Sequence, residues 1–362
     1  MWGNIAIAFL LAFITTYVIT PYTIRWSRKL KAVDKPKDNS RKIHKRPIPR
    51  LGGLAIIIGF IVSTTYLIIV MSMDGSLNLF DSDHYLTKCI GFSIAIFILE
   101  IFCFFDDWKD IKPIIKLIGQ IIAAITVVAF GIKMDIIIVA RLKTTINSEI
   151  ILNIISVLWI VGITNAINLI DGLDGLSAGI GIISCFSLLI IFVINGSAII
   201  SIILITALAG ALVGFLPFNF NPARTFMGDS GSNFLGFCLA IISIIGTAKT
   251  YIAIVIIAPL FVFALPIIDT GLAIIRRIIK TKSLKGVLKA DKEHLHHKIM
   301  KRGYTQKQAV LILYGISATF GIFAIILLDS GIWKALSFAF MVIAIAAIGY
   351  KDILRIDDRD KK

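Results

Sequence analysis

The chain has 362 residues, of which 57% are hydrophobic and only 16% charged, where a soluble domain carries about 25% charged residues. So apolar a chain would expose large hydrophobic patches to water, which excludes an ordinary soluble globular domain and points to the bilayer as solvent. The net charge of +15 could suggest nucleic acid. In a membrane protein, loop lysines and arginines instead set topology and touch anionic lipid, so membrane lipid is the expected partner and nucleic acid is not.

The first element is apolar from Ile5 to Ile24 and is followed by a dense basic run beginning at Arg25. With no basic stretch ahead of it and no cleavage site behind it, it reads as an uncleaved first span rather than a removed signal peptide. Taking about 20 mostly apolar residues per span, spans are predicted near 4–25, 51–72, 87–105, 111–131, 150–167, 177–195, 198–217, 232–248, 250–274, 308–328 and 333–350. The fold class is therefore all-α, a polytopic transmembrane helical bundle of about 11 spans. Residues 1–350 form one integral-membrane domain, and 351–362 a short charged tail. With the N-terminus outside, most of the 37 Lys and Arg fall on inner segments, as the positive-inside rule requires, and the C-terminus is cytosolic. The outer segment 132–149 contains the short apolar run Ile136 to Val139, which suits a small hairpin or an amphipathic surface piece. Cys89, Cys103, Cys185 and Cys238 lie in or beside apolar runs with no C-x-x-C pair, and read as small buried hydrophobes rather than a disulfide or zinc site.

Four polar clusters map to the inner side. At the exit of the third span stand Asp106 and Asp107, with Lys116 and Gln120 following in the fourth. An Asp here could be simple helix punctuation. Two adjacent carboxylates also raise one another's proton affinity, which suits a divalent metal or a proton-accepting base. The second cluster runs from Asn165 to Gly175, with two Asp-Gly pairs. If helical, Asn168, Asp171 and Asp174 share one face. The third runs from Pro217 through Asn219 to the turn Phe226-Met227-Gly228-Asp229-Ser230-Gly231-Ser232. A glycine-rich turn opening a helix offers N–H groups to an anion. An Asp there would oppose a phosphate unless a metal lay between them, so Asp229 reads as a Mg²⁺ ligand. The fourth is Asp291 to His297 in a long basic loop, where three of the five histidines fall within four residues. It has no Cys partner and no H-E-x-x-H, so phosphate binding by imidazole is preferred to zinc. Two further acids are intramembrane or nearly so: Asp269, expected to support the site by pairing with Arg276 or another cation, and Glu100, with no assigned partner.

The ordered set Asp106-Asp107, Asn168-x-x-Asp171-Gly-Leu-Asp174-Gly, Phe226-Met-Gly-Asp229-Ser-Gly-Ser and His294-x-His296-His297 resembles the polyprenyl-phosphate N-acetylhexosamine-1-phosphate transferases (glycosyltransferase family 4) over roughly residues 1–350. His44-Lys45-Arg46-Pro47-Ile48-Pro49-Arg50-Leu51-Gly52-Gly53 looks like that family's first cytosolic loop. One departure is Cys103, where the family often has Gly; it touches helix packing more than chemistry. Of the two bacterial branches, Pro49-Arg50-Leu51-Gly52-Gly53 and His294-Leu-His-His look closer to the one that starts teichoic acids, O-antigen or related glycans than to the phospho-MurNAc-pentapeptide transferases.

The resemblance implies a multi-pass enzyme of the cell inner (cytoplasmic) membrane with its active site facing the cytosol. Its substrates would be UDP-GlcNAc and undecaprenyl phosphate, its cofactor Mg²⁺ with Mn²⁺ as a substitute, and its assembly could be a homodimer. Asp106, Asp107, Asp229, His296 and His297 are the expected catalytic residues, with Asp229 and Asp107 as metal ligands and Asp106 facing the lipid phosphate. Asp171, Asp174, Asn219 and Phe226 would surround the uridine, with Asn168 orienting the carboxylates. Lys45, Lys116 and His294, with the other two histidines, would contact phosphates or the sugar. Direct attack by the lipid phosphate is expected, with a double displacement through an aspartyl intermediate as the alternative. A transporter would place its polar groups near the midplane on broken helices, and a scaffold would not need these clusters on one side.

Overall fold

Glycine, proline and capping residues divide the apolar sequence into thirteen helices, seen in a computed structural model that describes residues 2–35, 46–77, 85–134, 148–247, 253–281 and 294–359. The helices are α1 Trp2–Lys29, α2 Gly53–Met73, α3 Tyr85–Lys109, α4 Pro113–Ala129, α5 Ser148–Ile170, α6 Leu176–Asn195, α7 Ile199–Asn219, α8 Gly228–Thr247, α9 Ala253–Val262, α10 Ala264–Thr281, α11 Leu295–Lys301, α12 Gln306–Ser330 and α13 Ile332–Arg359. Pro113 opens α4 where its missing N–H has no helical partner to lose. Gly175 and Gly196, both left-handed, bracket α6. Thr305 and Gln308 close a capping box at the start of α12. The only sheet among the described residues is two residues deep: β1 Val33–Asp34 runs antiparallel to β2 Ile48–Pro49.

The all-α expectation holds. Among the described residues, eight helices are long and apolar enough to cross a membrane: α1, α2, α3, α5, α6, α7, α8 and α12. The predicted span at 250–274 is two helices, α9 and α10, broken at Phe263 between Pro259 and Pro266. Helix α13 continues to Arg359, through most of the segment expected as a tail. The piece predicted around Ile136 to Val139 lies outside the described residues.

The centre of the bundle is α7 and α8, whose apolar stretches are 83% and 89% buried, against 28% for α1. Gly210 and Gly214 let α7 approach the backbone of α1, since a Cβ at Gly214 would come within 2.5 Å of the Phe13 carbonyl. Gly236 does the same for α8 against Thr164 of α5. Hydroxyls tie other pairs: Ser63 Oγ donates to the Ala8 carbonyl at 2.8 Å, and Trp159 Nε1 to Ser243 Oγ at 3.1 Å. Outward faces carry exposed Phe97, Leu158 and Phe340, surface that suits lipid rather than water. The four cysteines are unpaired, and Cys103, Cys185 and Cys238 are buried.

Candidate active site

Four helix ends meet at one end of the bundle: the C-termini of α3 and α5 and the N-termini of α4 and α8. Successive helical residues point about 100° apart, so Asp106 and Asp107 face different neighbours. Asp107, 3% exposed, turns to the start of α8. Its oxygens accept from the Asp229 N–H at 2.7 Å, the Ser230 N–H at 2.9 Å and Ser230 Oγ at 2.7 Å. A carboxylate is well placed at a helix N-terminus, where the unpaired N–H groups and the dipole favour negative charge. The anion expected on that glycine-rich turn is thus supplied by the protein itself. Gly228 has φ +74°, and a Cβ there would lie 2.8 Å from both Asp107 oxygens.

Asp106 turns to α4. Its Oδ1 accepts from the Ile111 N–H at 2.9 Å, and its Oδ2 lies 3.2 Å from Lys116 Nζ. The same ammonium bonds Asp229 Oδ1 and lies 3.3 Å from Asn168 Oδ1. Asn168 Nδ2 donates to Asp229 Oδ1 and to Ser232 Oγ, each at 2.8 Å. Lys116 therefore bridges Asp106 and Asp229, and Asn168 hydrogen-bonds Asp229. Mg²⁺ takes hard oxygen ligands, commonly one or two carboxylates completed by substrate phosphates. Asp229 and Asp106, with the Asn168 amide oxygen beside them, fit that description. No group of three or more His, Cys, Asp or Glu gathers for a metal among the described residues, so a substrate would have to complete the shell. Asp107, expected as a metal ligand, is already the anchor of α8.

The second cluster departs from the shared helical face. Helix α5 stops at Ile170, and residues 171–175 form a turn ending in left-handed Gly175. Asp171 is half-buried, and burial first, then the nearby Asp229, Asp107 and Asp174, push its carboxyl up to about 8. Asp174 Oδ2 accepts from Asn221 Nδ2 at 2.9 Å and the Ala223 N–H at 3.1 Å. Asn219 is buried and holds two turns together: Oδ1 accepts from the Gly175 N–H at 3.1 Å and Nδ2 donates to the Thr225 carbonyl at 3.0 Å. It also lines the cleft described below. Tyr314 Oη, donating to the Gly175 carbonyl at 2.5 Å, completes this clasp.

The segment Pro49 to Gly53 braces the Asp229 turn. Phe226 N–H and Thr225 Oγ1 donate to the Pro49 carbonyl at 2.8 and 3.0 Å, while the Gly52 and Gly53 N–H groups donate to the Phe226 and Met227 carbonyls at 3.2 and 2.9 Å. Both glycines are required, because a Cβ on Gly53 would fall on the Gly231 backbone and one on Gly52 on Phe226 and the Phe215 ring. Arg50 clamps this strap to its neighbours, with Asp34 at 2.9 Å and Asp110 at 2.8 Å. Burial opposes its charge, but the bond to Asp110 and the charges of Asp34, Asp110 and Asp107 outweigh it, so the guanidinium pKa is raised. The sequence marked this segment only as a family signature.

The histidines sit behind the Asp171–Gly172 turn. Asp269 Oδ2 lies 2.9 Å from His294 Nδ1, and its Oδ1 accepts from the Leu295 N–H at 2.9 Å. Asp269 is thus bonded to His294 and to the start of α11. His296, 2% exposed, packs on Gly172, where a Cβ would come 2.7 Å from Nε2. Burial first, then His297 and His294, push the His296 imidazole down to about 3 despite Asp269, so the ring is neutral. Its Nδ1 has no hydrogen-bond partner among the described residues. The His297 ring lies tilted at 45° to that of His296, with centroids 4.3 Å apart. The expected phosphate contacts at His294 and His296 would therefore require these buried rings to be reached through the Gly172 turn. Lys45 lies outside the described residues. Glu100 is buried at both oxygens, with no hydrogen-bond partner among the described residues.

Asp107, Asn168, Asp171, Asp174, Phe226 and Asp229 all line a single cleft of about 930 Å³. Arg28, Arg46, Arg50 and Arg224 line it too. The sequence reading gave these arginines no ligand, since basic loop residues in a membrane protein are already accounted for by topology. An acidic floor beneath arginines suits a ligand carrying several phosphate charges.

The sequence model of glycosyl transferase family 4 matches residues 89–247, a stretch that contains Asp106, Lys116, Asn168 and Asp229. A relative from Bacillus subtilis, named "Probable undecaprenyl-phosphate N-acetylglucosaminyl 1-phosphate transferase", is 36% identical over 340 residues, covering 94% of this chain and 89% of the relative. The chain belongs to glycosyl transferase family 4. The transferase is also 34% identical to the "Undecaprenyl-phosphate alpha-N-acetylglucosaminyl 1-phosphate transferase" of Haemophilus influenzae, over 87% of this chain and 83% of that one. It is 31% identical to the "Phospho-N-acetylmuramoyl-pentapeptide-transferase" of Halalkalibacterium halodurans, over 88% of this chain and 95% of that one. It is thus a multi-pass membrane enzyme that transfers a phosphosugar to a polyprenyl phosphate.

Proposed function

We propose that this transferase moves N-acetylglucosamine 1-phosphate from UDP-GlcNAc to undecaprenyl phosphate, releasing UMP, as the first membrane step of a cell-envelope glycan such as teichoic acid or O-antigen. It does so in the cytoplasmic membrane with the cleft facing the cytosol, the chain crossing about eleven times from an outer N-terminus. The observation that carries the reading is the convergence of Asp106, Lys116, Asn168 and Asp229 beside an arginine-rimmed cleft, which Asn168 and Asp229 line.

An oxygen of the lipid phosphate attacks the sugar-bearing phosphorus. The bond from that phosphorus to UMP breaks, UMP leaves with the electron pair, and a new diphosphate joins sugar and lipid. Such a transfer needs positioning and charge neutralisation more than covalent help from the protein. Bound Mg²⁺, held by Asp229 and Asp106, would neutralise the diphosphate. Lys116 steadies both carboxylates, Asp106 faces the acceptor phosphate, and Asp107 keeps the Asp229 turn in place. Phe226 offers its ring to the uracil, Asp171 and Asp174 border the nucleoside, and the cleft arginines receive phosphate oxygens.

Purified enzyme in undecaprenyl phosphate-containing detergent micelles is assayed for UMP release. Mg²⁺-dependent turnover of UDP-GlcNAc, lost on chelation, is expected. Preference for the MurNAc-pentapeptide nucleotide would overturn the sugar assignment, and full turnover with excess chelator would overturn the metal.

A further inference from the structure

A second layer of side chains lies one helical turn deeper in the bundle than Lys116, Asn168 and Asp229. Gln120 follows Lys116 by four residues on α4, Asn165 precedes Asn168 by three on α5, and Asn233 follows Asp229 by four on α8. Residues so spaced stack on one helix face. Helices α4 and α8 leave the charged layer from their N-termini and α5 enters it by its C-terminus, so the three amides share a level. There they bond to one another. Asn233 Nδ2 donates to the Asp229 carbonyl at 2.7 Å, which leaves its Oδ1 to accept from Gln120 Nε2 at 2.6 Å. Gln120 Oε1 in turn accepts from Asn165 Nδ2 at 2.6 Å. Only this direction of donors and acceptors satisfies the chain. Gln120 and Asn233 are 1% and 0% exposed.

We propose that Gln120 is a positioning residue for the transfer reaction: its amide spans α4, α5 and α8 and sets the separations at which Lys116 meets Asp229 and Asn168. The inference rests on the proposed function's reading of those three as the reaction centre. A hydrogen bond has a narrow range of length and angle, so a bridging amide fixes helix spacing more tightly than apolar contact does. Supporting residues of this kind typically change activity 10–100-fold.

Gln120→Leu and Gln120→Glu are compared with the full-length wild type on whichever of the two UDP-sugar donors it turns over. A buried carboxyl stays protonated and so offers the same donor and acceptor as the amide. Gln120→Leu should lower kcat about 10–100-fold with donor KM within about threefold, and Gln120→Glu should hold kcat within about fivefold of wild type. Equal losses in both variants, an unchanged kcat in Gln120→Leu, or a loss confined to KM would overturn the proposal. If Gln120→Leu does not fold, Asn165→Ala removes one bond of the chain and carries the same expectation. A wild type inactive on both donors sinks the proposed function and this inference with it; an active wild type matched by Gln120→Leu sinks the inference alone.

Discussion

The turn at Asp171–Gly172 separates two acid–base clusters of opposite character. On one side, Asp106 and Asp229 share the Lys116 ammonium beside the 930 Å³ cleft, and Asp107 is anchored beneath them by three hydrogen bonds. On the other, Asp269, His294 and His296 are 2%, 6% and 2% exposed, and the inner imidazole is neutral. The first side shares one cation between two carboxylates; the second pairs one buried carboxylate with His294 and keeps the His296 ring neutral, because an ion without a partner is far more costly away from water than a neutral polar group.

The largest effect should come from breaking the charged side. Asp229→Asn and Asp107→Asn should each lower turnover on the order of a thousandfold, the upper range for one misplaced electrostatic group, while the protein remains folded by size-exclusion and melting. A loss below tenfold in Asp107→Asn would reduce that carboxylate to an ordinary cap. Next, Gly53→Ala pushes a methyl onto the Gly231 backbone and should lower kcat about a hundredfold by shifting the Asp229 turn, as small misplacements do. Gly271→Ala, with nothing within 4 Å of its Cβ, is the matched control and should be unaffected.

On the histidine side, effects should be smaller. Asp269→Asn weakens the charge-assisted bond to His294, worth about 1.5–3 kcal/mol, and should lower kcat about tenfold through the Gly172 turn. Loss as large as that of Asp229→Asn would erase the contrast between the clusters. The smallest effect is on stability. His296 is held neutral down to about 3, against an ordinary value of 6.5. Between these values the unfolded chain binds the extra proton, so stability is full above pH 6.5 and falls as pH drops, by at most about 1.4 kcal/mol per pH unit. The wild-type melting temperature should therefore fall more between pH 7.5 and 5.5 than that of His296→Gln. Parallel curves would show that the imidazole is not held neutral by the fold.

Much of the site was legible because its residue types are rare in apolar sequence. Asp106, Asp107, Asn168, Asp171, Asp174 and Asp229 stand out between long hydrophobic runs, and all except Asp106 line the cleft. Their division of labour was not legible. That Asp107 caps α8 depends on contacts across 122 residues of sequence. The Asp269–His294 bond crosses only 25 residues, but residues 282–293 between them give no local signal of return. The shared face expected for Asn168, Asp171 and Asp174 failed because two Asp-Gly pairs favour a turn over continued helix.

What the sequence alone determined is the solvent and the inventory: apolar runs long enough for a bilayer, and a few carboxylates, amides and imidazoles placed between them. Tertiary structure decided which oxygen meets which cation, which amides are already engaged, and that Pro49 to Gly53 braces the Asp229 turn. The physical reason is one of range. Hydropathy and helix propensity act within a few turns of chain, whereas a hydrogen bond or ion pair is settled only when separate helices pack to within a few tenths of an ångström.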